Sequence, residues 1–302
     1  MLRAVEQHPA MLIYLENRAS AGANSRVGQR RKRGLNENLA REILELHTVT
    51  EASGYGQADV TALANLITGW TIARDRAGVD RGGRFQFNPR VHASGAFEVL
   101  GKTYRSGSER AGEAVLDDLA RHPNTAEHLA RKLVSHFVGG NAAPELVARL
   151  AKTFADTDGD LAAVTRALVE DRSAWEHPAQ KVTPPYDFLL ALQHGLGVFP
   201  KAKLTVRLTR SLGQPIWSPP SPKGWPDDDM TWAGPAALRE RLRIASRAAR
   251  QAQRRGRTDA RAIADELFGP ALTAPTRLAV ARAETATQAF ELLLMSPEFL
   301  RR

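Results

Sequence analysis

The sequence lacks cysteine entirely across its 302 residues. This absence excludes a disulfide framework, a zinc site with thiolate ligands and the Cys-X-X-Cys-His motif that attaches haem c. Long apolar runs are also missing, because no stretch of about eighteen apolar residues occurs, so no membrane-spanning helix is predicted. The segment Met1–Glu6 lacks the apolar core of a signal peptide. We therefore expect no haem c and no membrane span, while the cellular compartment stays open.

The motifs that identify common enzyme classes are missing too. The chain has no Gly-rich phosphate loop, no nucleophile elbow and no zinc-protease helix. Asp156–Asp160 is similar to the start of a calcium-binding loop, but Ala167 stands where such a loop needs a bidentate glutamate. We interpret this segment as a helix-capping turn. The sequence therefore identifies no cofactor, and only a divalent metal remains open.

Basic residues outnumber acidic residues by 42 to 33, which gives a formal net charge of +9. Arginines concentrate on one face of a helix predicted over 235–255, opposite Leu238 and Leu242; they are Arg239, Arg243, Arg247, Arg250 and Arg254. We interpret this face as solvated. The alternative is a surface that binds phosphates, an anionic polysaccharide or an acidic protein. Charge alone gives nucleic-acid binding weak support.

A helix predicted over residues 37–49, called here the signature helix, carries the most specific pattern. Asn36 is a suitable N-cap, and Glu37, Arg41 and Glu45 form one charged row at i, i+4 and i+8. At 100° per residue, His47 falls within the opposite apolar arc, which predicts a largely buried ring. One interpretation is a core histidine with a single hydrogen-bond partner. The other is a metal ligand or proton carrier that recruits groups from other helices.

Helical periodicity continues along most of the chain, so we predict an all-α, multi-helix, bundle-like body. Short β-like segments interrupt it near 71–106, at Thr71–Ile72, Phe85–Phe87 and Phe97–Leu100. Apolar residues make up 43% of the chain, which is enough for a sizeable core. We predict two regions, 1–106 with the signature helix and the β excursion and 107–302 with the remaining helices, or one continuous domain.

Residues 214–232 are rich in proline and tryptophan, and we call them the Pro/Trp loop. Proline disfavours a helix and indole rings can bury large areas, so an ordered loop is predicted. We expect Trp217 and Trp225 to pack against the helical body near the signature helix. One interpretation is a lid on the core. The other is one wall of a groove for an extended or sugar-like ligand, formed by Trp217, Trp225 and Trp232.

Several short motifs in one order resemble the bacterial family called domain of unknown function 1800. The most specific is Asn36–Thr48, and the others include Pro9–Leu15, Leu66–Trp70, Phe87–His92, Gly213–Pro220, Gly224–Pro226 and Ser296–Phe299. The resemblance implies a mainly helical, extracytoplasmic protein, often paired with a second exported protein of sulfatase-like ancestry. It also implies a further N-terminal helical portion and an export signal, neither of which this sequence shows. We therefore expect a truncated member, for which a cytoplasmic location stays open, and the resemblance supplies no catalytic residue set.

The leading hypothesis is a non-catalytic interaction or scaffold protein that acts outside the cytoplasm with a partner protein. The rival hypothesis is a hydrolase with a metal- or His-centred site, whose candidate catalytic residues are Glu42, His47 and His92. The candidate metal ligands are the same two histidines and an acidic triplet, Asp227, Asp228 and Asp229, which we otherwise interpret as a solvated turn. A third hypothesis is polyanion or nucleic-acid binding through the arginine-rich helix. The sequence leaves open whether the protein is an enzyme.

Overall fold

Helices cover most of the chain in the computed structural model, which describes residues 1–31, 34–73, 82–139, 144–176, 181–197 and 201–302. Within these residues, two small two-stranded sheets interrupt the helices. The prediction of a mainly α fold with a small β excursion is therefore confirmed. Lys32 and Arg33, and residues 74–81 of the predicted β excursion, lie outside the described residues.

The chain divides into two compact units. Unit 1 comprises Met1–Lys132 and Pro144–Glu170, and unit 2 comprises Leu133–Ala143 and Asp171–Arg302. The helices that begin in unit 1 are α1 (Leu2–Glu6), α2 (Pro9–Tyr14), α3 (Arg26–Arg31), α4 (Asn38–Glu42), α5 (Gln57–Leu66), α6 (Glu109–Ala120), α7 (Pro123–Phe137), α8 (Pro144–Asp156) and α9 (Leu161–Glu170). The helices of unit 2 are α10 (Pro185–Leu196), α11 (Ala202–Ser211), α12 (Asp229–Ala233), α13 (Pro235–Arg254), α14 (Ala260–Phe268), α15 (Ala274–Ala281), α16 (Ala286–Leu294) and α17 (Pro297–Leu300). The boundaries of these units differ from those of the predicted regions 1–106 and 107–302, and the division into those two regions or one continuous domain stays a prediction.

The β excursion consists of two antiparallel pairs in unit 1. Strands β1 (Trp70–Ile72) and β2 (Phe85–Phe87) form one pair, and β3 (Ala96–Val99) and β4 (Lys102–Arg105) form the other. Trp70 links the first pair to the helical core, because its fully buried ring meets Phe85 edge to face and packs against α6. Gly112 of α6 is required there, since a Cβ at this position would lie 2.5 Å from the Trp70 ring.

The signature helix begins as α4 but does not continue as a regular α-helix. Its N-cap is Glu37 rather than the predicted Asn36, whose Oδ1 accepts a hydrogen bond from the Asn38 amide at 2.9 Å just before the helix. Residues Ile43–His47 then form a π turn, in which each hydrogen bond spans one more residue than in an α-helix. The wider turn invalidates a projection at 100° per residue. The side chain of His47 is buried for the most part, with 27% of it exposed.

Helix α13 forms the centre of unit 2 and packs against α16 and α10. Its buried residues are Arg241, Ile244, Ala245, Ala248, Ala249 and Ala252. Leu242, which the sequence pattern places on the apolar face, is 44% exposed. The buried face instead includes the guanidinium of Arg241, which lies over the Phe188 ring and donates to the Thr183 carbonyl at 2.5 Å. The buried face of α13 therefore follows the alanines rather than the leucines, because small side chains permit close helix packing.

Candidate functional site

A carboxylate–imidazole pair in unit 1 is the most unusual polar feature of the fold. Glu6, the last residue of α1, is fully buried, although glutamate is rarely buried without a partner. Its Oε1 lies 2.9 Å from Nδ1 of His47, at the end of the π turn. Burial lowers the pKa of His47, but the contact with Glu6 and the charges of Glu6 and Glu42 outweigh it, so the pKa is raised overall. The pair therefore favours a protonated imidazole.

This pair lies in the wall of a cavity of about 440 Å³, which we call the Glu6–His47 cavity. Apolar side chains supply much of the remaining wall, including Val5, Leu46 and Phe154. Pockets that bind small molecules typically have a volume of this size. Their walls are also typically apolar, with a few polar groups at defined positions. The cavity offers a buried acid–base pair next to a space that a small amphipathic molecule can occupy.

His128 of α7 also lines the Glu6–His47 cavity, but in a different protonation environment. Its Nε2 donates to the Leu46 carbonyl at 3.0 Å. Burial lowers the pKa of His128 more than the hydrogen bond to the Leu46 carbonyl raises it, and the charges of Lys132 and Arg131 lower it further. One cavity therefore holds a histidine that favours the charged form and another that favours the neutral form.

The predicted catalytic set of Glu42, His47 and His92 is not assembled at this cavity. Glu42 affects His47 only through its charge, and neither Glu42 nor His92 belongs to the cavity wall. The His92 ring is held elsewhere in unit 1, where Nδ1 lies 2.7 Å from the Thr68 carbonyl and Nε2 lies 2.8 Å from the Ser106 hydroxyl. Both ring nitrogens are thus engaged in packing the loops of the β excursion.

The candidate metal ligands do not converge either. In the part of the chain that the structure describes, no three His, Asp or Glu side chains form a group able to hold a metal ion. Asp228 accepts a hydrogen bond from the Thr231 amide at 2.8 Å and caps α12. Asp229 accepts one from the Val182 amide at 2.9 Å. The acidic triplet therefore has structural roles at two of its three positions, and Asp227 faces a second cavity.

The three tryptophans of the Pro/Trp loop lie in three different environments. Trp232 belongs to α12 and is buried, and its Nε1 donates to the Pro226 carbonyl at 3.1 Å. Trp225 is half-buried. Trp217 is 96% exposed, so the prediction that it packs against the body is wrong. Trp217 lies in a turn that is closed by a hydrogen bond from the Ser218 amide to the Pro215 carbonyl. Its positive φ of 56° turns the indole ring towards solvent.

Trp225 and Trp232 line a cavity of about 420 Å³ in unit 2, which we call the Trp225–Lys181 cavity. The polar residues of its wall include Lys181, Tyr186, Asp187, Gln214 and Arg302. The groove interpretation of the loop thus applies to two of the three tryptophans, and Trp217 is not part of this wall. Gly224 of the same loop has a positive φ of 87°, and open space surrounds it.

The five candidate polyanion-binding arginines of α13 are all exposed. Arg243 forms an ion pair with Glu240 of the same helix. The others, Arg239, Arg247, Arg250 and Arg254, share the solvent-facing side of the helix. Their exposure fits a solvated face and an interaction surface equally well.

Comparison with known proteins identifies the family and nothing narrower. No helix among the described residues is long and apolar enough to cross a membrane. Neither a curated protein nor a solved structure matches the chain. A family model described as "Protein of unknown function (DUF1800)" matches residues 1–301, and the chain therefore belongs to this family.

Proposed function

We propose that this protein is a non-catalytic binding protein that works outside the cytoplasm together with a protein partner. The observation that carries the proposal is Trp217, which the Pro/Trp loop holds 96% exposed. Ile216 and Met230 of the same segment are exposed as well. Tryptophan is among the residues most enriched at the energetic centres of protein interfaces. Prolines restrict the loop before binding, so less conformational entropy is lost when a partner docks.

The expected partner surface has an apolar pocket surrounded by carboxylates. Trp217 supplies an apolar anchor, and the segment that bears it leads through α12 into the arginine-bearing helix α13. Exposed arginines on the helix that follows an apolar anchor in the sequence favour a partner with complementary negative charge. The family resemblance adds the expectation of an extracytoplasmic setting and of a sulfatase-like exported protein as the partner.

Binding of the purified protein to the sulfatase-like exported protein of the same organism tests this proposal. The variant Trp217→Ala should weaken binding by at least roughly 30-fold, the effect of losing a hot spot of about 2 kcal/mol. Trp175→Ala is the matched control, because Trp175 is also exposed in unit 2 but lies outside the loop. Equal affinity of the wild-type protein and Trp217→Ala would contradict the proposal.

The Glu6–His47 cavity supports a second candidate function, a His-centred hydrolase. Glu6 holds the Nδ1 side of the imidazole, and Nε2 makes no hydrogen bond to the described residues. An imidazole oriented by a carboxylate can take a proton from water through its other nitrogen and so act as a general base. The apolar cavity wall favours an ester or amide with an apolar acyl group.

Hydrolysis of p-nitrophenyl esters across pH tests the hydrolase. Because only neutral imidazole accepts the proton, the rate should rise with pH through the raised pKa of His47. His47→Asn should lower turnover by about 100-fold or more, as for loss of a general base. His122→Asn is the control, since His122 Nδ1 accepts the Asn124 amide and an asparagine oxygen can replace it. Equal turnover in wild type and His47→Asn excludes this function.

A further inference from the structure

The Trp225–Lys181 cavity combines aromatic surfaces with closely spaced hydrogen-bonding groups. Trp225, Trp232 and Tyr186 contribute aromatic side chains to its wall. Gln214 Oε1 accepts the Tyr186 amide at 2.8 Å, which leaves the Gln214 amide nitrogen as a donor. Asp187 supplies acceptor oxygens at the same wall. The cavity therefore offers apolar faces and both kinds of hydrogen-bonding partner within about 420 Å³.

The wall is held in place by contacts between distant parts of unit 2. Lys181 is 3% exposed, and its Nζ donates to the Ser135 carbonyl at 2.7 Å. Its carbonyl accepts the Arg302 amide at 2.9 Å, and the Thr183 amide donates to Leu300 at 2.8 Å. A wall already ordered by such contacts loses little further entropy when a ligand binds.

Charge in the Trp225–Lys181 cavity is balanced rather than concentrated. The cations Lys181 and Arg302 face the carboxylates of Asp187 and Asp227, and Arg302 is paired with Asp187 at 2.5 Å. Burial lowers the pKa of His136 in the same wall, and the charges of Arg302 and Lys181 lower it further, so this ring favours the neutral form. Because the two cations and two carboxylates of the wall balance one another, the wall has no net charge that would attract a charged ligand such as a phosphate, a uronate or an amine.

We propose that the Trp225–Lys181 cavity binds a neutral saccharide. A sugar presents apolar C–H faces that suit aromatic side chains, and each hydroxyl both donates and accepts hydrogen bonds. A hydroxyl of this kind can donate a hydrogen bond to a carboxylate and accept one from a neighbouring amide or cationic group. Hydrogen bonds to charged groups are the stronger ones. The volume lies within the range of small-ligand sites. This site is distinct from the Glu6–His47 cavity and does not depend on the exposed Trp217 that carries partner binding.

Titration calorimetry with maltotriose, cellotriose and chitotriose tests the inference, with trigalacturonate and inorganic phosphate as charged comparators. At least one neutral trisaccharide should bind with a Kd below about 10 mM, and neither charged comparator should bind as tightly. Trp225→Ala and Asp187→Asn should each weaken binding by about tenfold or more, since one removes an aromatic surface and the other a charged acceptor. Trp217→Ala is the matched control and should bind like the wild type, because Trp217 lies outside the cavity wall.

Asp187→Asn keeps the test decisive if Trp225→Ala does not fold, because it preserves side-chain size. Absence of binding by all three neutral trisaccharides overturns the inference. Tighter binding of trigalacturonate or phosphate overturns it as well, and so does an equal loss of binding in Trp217→Ala. Loss of saccharide binding with retained partner binding would separate this site from the proposed function.

Discussion

Replacement of His47 by glutamine tests the Glu6–His47 contact through its dependence on pH. The raised pKa of His47 means that the folded protein binds this proton more tightly than the unfolded chain does. The resulting stabilisation is complete below the ordinary histidine pKa of about 6.5 and is lost as pH rises through the raised pKa. His47→Gln should therefore destabilise the protein more at about pH 5.5 than at about pH 9.

The burial of the two partners sets the size of this effect. Loss of one partner from a buried ion pair costs about 3–5 kcal/mol, whereas an exposed pair contributes only about 0–1 kcal/mol. Glu6 is fully buried, but 27% of the His47 side chain is exposed, so the contact lies between these limits. We expect a loss of about 2–3 kcal/mol in the free energy of unfolding at about pH 5.5.

Urea unfolding followed by circular dichroism at the two pH values measures this difference. His128→Gln provides a control with the opposite sign in the same cavity. Because the pKa of His128 is lowered, its stabilisation is present above pH 6.5 or so and is lost as pH falls through the lowered pKa. The loss in His128→Gln should thus be larger at about pH 9. A loss in His47→Gln that is equal at both pH values, or larger at high pH, would refute the assignment.

Three further pairs of substitutions have defined outcomes in thermal or urea unfolding. Gly112→Ala should destabilise by about 1–3 kcal/mol, because its Cβ would overlap the Trp70 ring, while Gly34→Ala should change little since open space surrounds that position. Trp232→Ala should cost about 3–5 kcal/mol as a buried ring, whereas Trp217→Ala should stay within about 0.5 kcal/mol of the wild type. Arg241→Met should be at least as stable as Arg241→Ala. Both variants remove a buried guanidinium whose pKa is lowered to about 10, and methionine also fills the space that the arginine side chain occupies.

Most helices could be predicted from the sequence because their periodicity is regular and their ends carry clear signals. The helix predicted over 235–255 spans Pro235–Arg254, with proline at its first turn. By contrast, Pro9 begins α2 and so divides the first residues of the chain into two short helices. Helix α3 lies in a polar segment, where its Gly28 amide donates to the Ser25 hydroxyl at 3.0 Å. Short helices with weak periodicity are therefore the hardest to predict.

The candidate site was less predictable, because it depends on contacts between distant residues. Glu6 stands in a helix of five residues, too short for its burial to be inferred from a pattern. Lys181 has no local signal either, since its burial follows from pairing with residues near Arg302. His47 lies in a π turn, which has no strong sequence signature, so the direction of its side chain could not be inferred from helical periodicity. Helical periodicity describes the faces of a single element, so it cannot predict which side chains from other elements become contact partners.

The π turn at Ile43–His47 also has a consequence for how chain length can vary in this region. A π turn contains one residue more than an α-helical turn of the same extent. Deletion of a single residue between Ile43 and Leu46 would let the segment relax into a regular α-helix without breaking the fold. Because the extra residue is contained within the turn, the imidazole that follows would keep nearly the same direction around the helix axis and stay beside the Glu6 carboxylate. A homologue shorter by one residue at this point should therefore still carry an acidic side chain at the end of its first helix.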